Sequence, residues 1–514
     1  MAGEFRQMIP AALAATLVAA LVLAPLGAVI LRAGGVSALT PSDLDALIFT
    51  LWQAALSAGL SCALAIPLAR ALHRRRFPGR GAFIALLGAP FLLPTIVAVM
   101  GLLAILGRRG VVNGLLAGLG LPEFSLYGAQ GVVVAHIFLN LPLAARMLLQ
   151  GWQAIPAERL RLALALGLPP AAQARHLERP MLRAVLPGAF LAIFLVCVSS
   201  FAVALTLGGG PRASTIEVAI YQAFRFDADL GRAATLSLVQ IALALAALGA
   251  AARLTLPSSF GAGLDRAAPA ALAPDRWHRI KDGATLTLAA AFLLAPLLAI
   301  ALRGITEIPA LPASVWRAAA NSLMLALGAT VLTLTLALPL SLAAPRARWA
   351  EPVAMLPMTA SALVLGTGLF LIVRPWLAPT SLALPVTLLV NATLTLPFAL
   401  RLLLPEVRSL QADYDRLAAS LGLSGLARLR LLTLPRLARP LGFSAGIAAA
   451  FSMGDLGAIT LFSDGRSQTL PLALYSLMGS YRMEAAAGAA CLLMALTFGL
   501  YALFDRIGAH ADPR

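Results

Sequence analysis

Lysine occurs once in these 514 residues, at Lys281, between Ile280 and Asp282. A phosphate-cradling loop needs a glycine-rich turn ending in Lys-Ser or Lys-Thr, so the chain carries no ATP site of that kind. The glycine-rich stretch Gly208-Gly209-Gly210-Pro211 lacks the lysine and reads as a flexible outer loop. Cysteine is nearly as scarce. Cys62, Cys197 and Cys491 lie far apart inside apolar runs, which suggests neither a disulfide framework nor a CxxC metal site and leaves packing as their role. Charge is thin as well: charged residues are 12% and hydrophobic residues 60% of the chain, against roughly 25% and 45–50% in soluble domains. A soluble fold of this length could not hide so much apolar surface.

What is present instead are continuous apolar runs rich in Leu and Ala, each long enough at about 20 residues to cross a bilayer as a helix. Barrel strands would alternate, so the fold class is all-α: a polytopic helical membrane protein. Candidate spans are 9–31, 47–69, 82–106, 127–150, 184–207 and 231–253, then 284–302, 318–343, 353–373, 384–404, 440–463 and 485–505. The first run, Ile9–Leu31, exceeds a signal-peptide core of about 7–15 residues and reads as a retained span, with cleavage as the alternative. These twelve spans divide into an N-terminal helix and outer loop (1–46), a first membrane block (47–253), a polar linker (254–283), a seventh helix with outer loop (284–316), a second block (317–506) and a tail (507–514).

The net charge of +17 need not mean nucleic acid, because arginines of a membrane protein collect beside anionic headgroups on the cytoplasmic face. The segment His73-Arg74-Arg75-Arg76-Phe77-Pro78-Gly79-Arg80, the pair Arg346/Arg348 and the linker fall on one side, which is then cytoplasmic. Arg108 and Arg109 fall on the other and are outvoted. Trp152, Trp316, Trp349 and Trp376 lie near span ends, where amphipathic rings anchor at the headgroups.

Two loops on the arginine-rich side repeat one plan. Gly167 is followed after nine residues by Leu177-Glu178-Arg179-Pro180, and Gly422 after nine by Leu432-Thr433-Leu434-Pro435, an offset of 255. Pro142 and Arg146 match Pro397 and Arg401 at the same offset, so the halves are parallel six-helix repeats that would enclose a pathway. Residues 157–167 predict a short helix stopped by a left-handed glycine, and Ala171 to Glu178 a second one ended by Pro180. The other copy predicts Tyr414–Leu421, Gly422, then Leu426–Leu434. Such a hairpin, with small Ala163 or Ala418 and Ala419 on its face, can lie in a groove of another protein. The plainer alternative is a connecting surface hairpin.

Polar residues inside the spans are few. His136 and Asn140 share a helix face, and with Asn391 they suit contacts between helices better than a proton relay, although an ion-coupled carrier would want such groups. Asp455 interrupts the eleventh span in Ser452-Met453-Gly454-Asp455-Leu456-Gly457; an ionised carboxylate in hydrocarbon costs at least about 2.5–3.5 kcal/mol, so it faces water or a partner, or serves as a structural cap. At the corresponding place in the first half stands Phe201, with Ser199 and Ser200 beside it. One carboxylate and one aromatic face would suit a cationic aromatic ring. Glu217, Arg212 and Arg482 lie in outer segments, where charge pairs could meet a soluble partner.

The hairpin pattern resembles Glu-Ala-Ala, three residues, Gly, nine residues, Ile-x-Leu-Pro, the cytoplasmic loop by which permease subunits of ATP-binding-cassette importers sit in a cleft of the ATPase. Its first positions are here Arg161-Leu162-Ala163 and Arg416-Leu417-Ala418, so the leading glutamate is missing from both copies; Leu177 and Leu432 take the Ile position, and Arg179 replaces the usual Leu in the first. The glycine and proline spacing is intact. Residues 70–80, Tyr127-Gly128 to Leu141-Pro142, Ser200-Phe201-Ala202 to Gly208-Gly209-Gly210-Pro211, Thr215-Ile216-Glu217, Gly454-Asp455 and Gly479-Ser480-Tyr481-Arg482 extend the resemblance over nearly the whole chain, toward the fused two-half permeases of bacterial thiamine importers. Fused ferric iron permeases share the plan and are the alternative.

The resemblance implies a type I importer transmembrane subunit in the bacterial inner membrane. It implies two copies of a separate ATPase, docked on Arg161, Ala163, Gly167, Leu177 and Pro180 and on Arg416, Ala418, Gly422, Leu432 and Pro435. A periplasmic binding protein would deliver cargo, and the path would be lined by Asp455, Ser452, Ser199, Ser200 and Phe201. On that reading the chain is no enzyme, and it binds no cofactor or metal, ATP and Mg belonging to the partner ATPase. An ion-coupled secondary transporter is the alternative from another class.

Overall fold

The computed structural model describes residues 2–33, 39–208, 210, 213–253, 276–377, 382–463 and 467–511. Most of the polar linker and three outer-loop residues, Gly209, Pro211 and Arg212, lie outside them. Among the described residues the secondary structure is helical, with no strand. The principal helices of the first half are α1 (Ala2–Arg32), α2 (Pro41–Arg74), α3 (Thr95–Leu106), α4 (Ala129–Gln153), α5 (Arg179–Val198), α6 (Phe201–Leu207), α7 (Ile216–Arg225) and α8 (Leu230–Ala252). Those of the second are α9 (Arg276–Gly304), α10 (Ala313–Ala343), α11 (Ala362–Val373), α12 (Ala383–Ser420), α13 (Ala438–Gly454), α14 (Gly457–Phe462), α15 (Leu470–Gly479) and α16 (Met483–His510). Among the described residues eleven helices are long and apolar enough to cross a membrane, and a twelfth span results if two helices bent by 92°, Ala350–Thr359 and Ala362–Val373, count as one. The chain is thus a polytopic all-α membrane protein.

Local chemistry explains several helix ends. Thr40 caps α2 in a capping box, its backbone N–H donating to Asp43 Oδ2 at 3.0 Å while its hydroxyl accepts from Asp43 N at 3.3 Å. The expected span 82–106 is not one helix. It breaks into Arg80–Leu86 and Ala89–Leu92 before α3, because Pro94 holds Leu93 in an extended conformation. The expected span 353–373 breaks too, at Ala360-Ser361, where the Ser361 hydroxyl accepts from Val364 N at 3.2 Å and starts α11 afresh.

Contacts divide the chain into two compact units: Met1–Leu39, Glu217–Ala242 and Gly304–Arg514 form one, Thr40–Ile216 and Leu243–Arg303 the other. Each takes in the first helix of the opposite half, α1 in the former and α9 in the latter. In the unit holding α1, a Cβ on Gly368 of α11 would stand 2.3 Å from the Pro25 carbonyl of α1, so only glycine permits that approach. Ala11, Ala14 and Val18 of α1 share a core with Ala337 and Leu340 of α10 and Leu400 of α12. Gly442 of α13 likewise lies against Phe504 and Gly508 of α16, small-residue packing of the kind that lets membrane helices come close.

In the unit holding α9, Arg75 pairs with Asp282 at 2.6 Å. Phe292 meets Phe138 of α4 edge-on, with ring centroids 5.7 Å apart. A Cβ on Gly101 of α3 would come within 2.9 Å of Pro296. Trp152 is fully buried and no membrane anchor, in contrast to the sequence expectation: its place at a span end coincides with the junction between the membrane helix and the hairpin. Trp316, Trp349 and Trp376 are exposed.

Candidate docking hairpins and path residues

The two hairpins close on the same hydrogen bonds. In the first, helix Ala157–Ala165 ends as Gly167 N donates to Leu164 O at 3.0 Å and Leu168 N to Ala163 O at 3.0 Å, with Gly167 at φ 60°. In the second, Gly422 N donates to Ala419 O at 3.1 Å and Leu423 N to Ala418 O at 2.9 Å, with Gly422 at φ 64°. This is a Schellman-type stop, which needs a residue in the left-handed region. A Cβ at either glycine would meet nothing within 4 Å, so the requirement is one of backbone conformation and not of space.

Beyond the glycines the helices depart from expectation. Pro180 and Pro435 end nothing. Each sits in the first turn of a following helix, α5 or Leu434–Arg436, where no backbone donor is needed, and each is preceded by a π-helical turn, Ala174–Glu178 or Leu429–Thr433. The second copy's entry is no separate helix either, since α12 runs unbroken to Ser420. Pro156 interrupts the first copy; 255 residues on stands Gln411, which continues the helix and donates to Leu342 O at 3.1 Å.

Exposure divides the small residues expected on the hairpin face, with Ala419 exposed. Ala163 and Ala418 are buried, turned into their own hairpins. The outward side chains are leucines: Leu162 and Leu417 are 60% and 52% exposed, Leu166 and Leu421 64% and 65%, both pairs at the repeat offset. Arg161, Gly167, Pro180, Arg416 and Gly422 are exposed, whereas Leu177, Leu432 and Pro435 are half-buried.

The hairpins are also anchored differently, through residues that sequence reasoning missed. Glu178 accepts from Arg70 Nε and Arg74 Nη2, both at 3.1 Å, fastening the first hairpin to the end of α2. Its counterpart is the uncharged Thr433. The second hairpin relies on Asp415, paired with Arg346 at 2.5 Å and with Arg428. Arg428 corresponds to Gln173, which donates to Leu168 O at 2.9 Å, so one position closes the hairpin in both copies with different chemistry.

Further into the spans a polar layer repeats at the same offset. His136 Nδ1 lies 2.9 Å from Gln53 Oε1, Gln53 donates to Cys197 O at 3.2 Å, and Asn140 donates to His136 O at 2.9 Å. Asn391, Thr395 and Ser452 occupy the matching positions: Asn391 donates to Ser452 Oγ at 3.2 Å, and Thr395 lies 2.9 Å from Thr333 of α10. Asn140 also reaches across to Cys197 Sγ at 3.5 Å, so His136, Asn140 and Asn391 each make a bond from helix to helix, the role expected for them.

Of the path candidates, Asp455 and Ser452 come together at the break between α13 and α14, where Asp455 Oδ1 accepts from Gly457 N at 3.0 Å. The matching break lies between α5 and α6, and it sets Ser200, not Phe201, in the place of Asp455: Ser200 N donates to Cys197 O at 3.4 Å as Asp455 N does to Ser452 O at 3.5 Å. Ser199 is exposed, with its hydroxyl donating to Leu195 O at 3.1 Å. Ser200 is half-buried, and Phe201 is buried in packing. Ser199–Phe201 and Asp455 belong to different compact units. Glu217 is no surface charge: it is 1% exposed, and burial pushes its carboxyl up to about 8 while a hydrogen bond to Ser361 works the other way. Arg482 is exposed as expected.

No family model matches the chain. Individual relatives do. The thiamine transport system permease protein of Escherichia coli is 40% identical over 474 residues, 89% of this chain and 88% of the relative. That of Salmonella typhimurium is 39% identical over 479 residues, 90% and 89% of the two chains. In Brucella abortus the protein of that name is 37% identical over 526 residues, 99% of this chain and 97% of the relative. With identity of this order over nearly the whole chain, the protein belongs to the family of thiamine transport system permeases.

Proposed function

We propose that this chain is the inner-membrane permease of an ATP-binding-cassette importer and forms the path for thiamine or its phosphates. Two copies of a separate ATPase, which holds ATP and Mg, seat on residues 157–180 and 412–435, and a periplasmic binding protein delivers the cargo. Closure of the ATPase pair moves the hairpins and exchanges outward-open for inward-open states. Asp455, Ser452, Ser199, Ser200 and Phe201 lie along the path, with the Asp455 carboxylate supplying the negative charge a cationic ring requires.

The observation that carries this reading is the pair of hairpins with matched Schellman stops and matched outward leucines. A lone connecting hairpin has no reason to repeat both. The test is reconstitution of the chain in liposomes with its ATPase and binding protein. ATP-dependent uptake of labelled thiamine is expected, and it should vanish, along with ATPase co-purification, in Gly167→Val plus Gly422→Val, because a β-branched residue strongly disfavours the left-handed conformation. Uptake of ferric iron without thiamine would overturn the cargo, and proton- or sodium-driven uptake by the chain alone would overturn the class.

A further inference from the structure

Helix α9 is held against its unit at two levels, by Arg75–Asp282 at its start and by the Gly101–Pro296 approach farther along. Between these levels, beside the Phe138–Phe292 contact, α2, α4 and α9 line an open apolar groove of about 400 Å³. Leu64 and Leu68 of α2 form one wall; Thr285, Leu288, Ala289 and Phe292 of α9 form another. Leu64 and Leu288 are exposed. Polar groups are nearly absent from the lining, since the Thr285 hydroxyl is spent on Lys281 O at 2.9 Å, so water would find few partners there.

The mouth of this groove is basic. Lys281 stands one turn before Thr285, and the spacing 281, 285, 288, 289, 292 keeps these side chains on one helix face. Arg279 and Arg276, two and five residues before Lys281, point to other sides of α9, and Trp277 is 67% exposed. Asp282 is taken up by Arg75, while Arg276, Arg279 and Lys281 have no ion-pair partner among the described residues. A hydrocarbon-lined slot, opening under the uncompensated Lys281 ammonium on the arginine-rich side, fits a ligand with an acyl chain and an anionic phosphodiester.

We propose that the groove between α2, α4 and α9 is a binding site for one anionic phospholipid, its chain along Leu64, Leu68, Leu288 and Phe292 and its phosphate at Lys281. The site is independent of the cargo and of the ATPase.

The experiment uses the purified full chain in detergent, incubated with equal amounts of phosphatidylglycerol and phosphatidylcholine, and counts bound lipid by native mass spectrometry. About one retained phosphatidylglycerol is expected, with a preference of about fivefold for each basic side chain engaged. Lys281→Gln should bring the preference close to unity, whereas Arg279→Gln on another side of α9 and Arg506→Gln at the end of α16 should each leave it unchanged. Ala289→Trp, and separately Leu64→Trp from the facing wall, should lower retention of both lipids while the charges remain. Equal retention of the two lipids by the unaltered chain would overturn the proposal, as would full retention of phosphatidylglycerol in both tryptophan variants.

Discussion

At positions 162 and 163 neighbouring side chains point opposite ways: Leu162 faces out while Ala163 lies buried at the first hairpin's stop, and Leu417 and Ala418 repeat this in the second. An exposed leucine on a membrane protein's polar loop gains about 1.5–3 kcal/mol if a partner buries it. Replacing Leu166 and Leu421 by Ser should therefore weaken binding of the proposed ATPase by about tenfold or more, measured by titrating the labelled subunit, while thermal stability of the chain alone stays within a degree or two. Unchanged affinity would put the contact elsewhere. Glu217 makes a second prediction at this scale. Its folded-state value of about 8 lies above its ordinary 4.5, so folding takes up a proton between those values and burial becomes a growing penalty as pH rises through that window. Below the window the penalty is absent; above about 8 it is complete. The unaltered chain should thus lose several degrees of melting temperature between pH 5 and pH 8 relative to Glu217→Gln, and parallel curves would refute the burial argument. Nothing in Thr215-Ile216-Glu217 marks that carboxyl as buried, because sequence supplies an outer loop and the default for charge in such a loop is solvation.

Between the two hairpins, equal backbone stops coexist with unequal anchors. The stops were legible, since glycine followed at fixed spacing by proline describes a left-handed cap before a new helix. The continuity past the prolines was not: Pro180 and Pro435 read as terminators, but in a first turn proline loses nothing, and the π-turns ahead of them absorb the misfit. That α12 continues where the first copy breaks depends on one residue, Gln411 in place of Pro156. Anchoring predicts asymmetric coupling. Glu178 is only 16% exposed, between Arg70 and Arg74, and Glu178→Gln gives up about 1.5 kcal/mol or more of charge-assisted bonding to α2. On the proposed docking, ATP hydrolysis should survive within about twofold while thiamine uptake falls about tenfold, because a docked hairpin would no longer pull α2. Asp415→Asn should do the same through the second hairpin, whereas Thr433→Val should have little effect. Equal loss of hydrolysis and uptake in the carboxylate variants would mean that these anchors serve docking alone.

Across the whole molecule, hydrophobic runs disclose a bundle of membrane helices but not where single spans break or which neighbours they choose, and here the choice crosses the halves. The first helix of each half is built into the unit made mostly by the other. The cues that could have shown this, Gly368 opposite Pro25 and Gly101 opposite Pro296, are single glycines in apolar runs, and without the partner they look like any other small residue. The consequence is physical. Cutting the chain in two at residue 265, inside the linker, should not yield two free halves, because residues 1–264 supply α1 to the unit of the second piece and residues 265–514 supply α9 to that of the first. Co-expressed, the pieces should purify as a one-to-one complex through a tag on either. Each close approach tolerates no side chain, and forcing one in costs about 1–3 kcal/mol by overpacking. Gly368→Val together with Gly101→Val should therefore cut recovery of the untagged piece several-fold in the split protein, while the same changes in the intact chain, whose covalent link holds the helices near their sites, should lower melting temperature without loss of yield. Pieces that elute separately as stable monomers would show that each half keeps its own first helix, and the exchange would then be wrong.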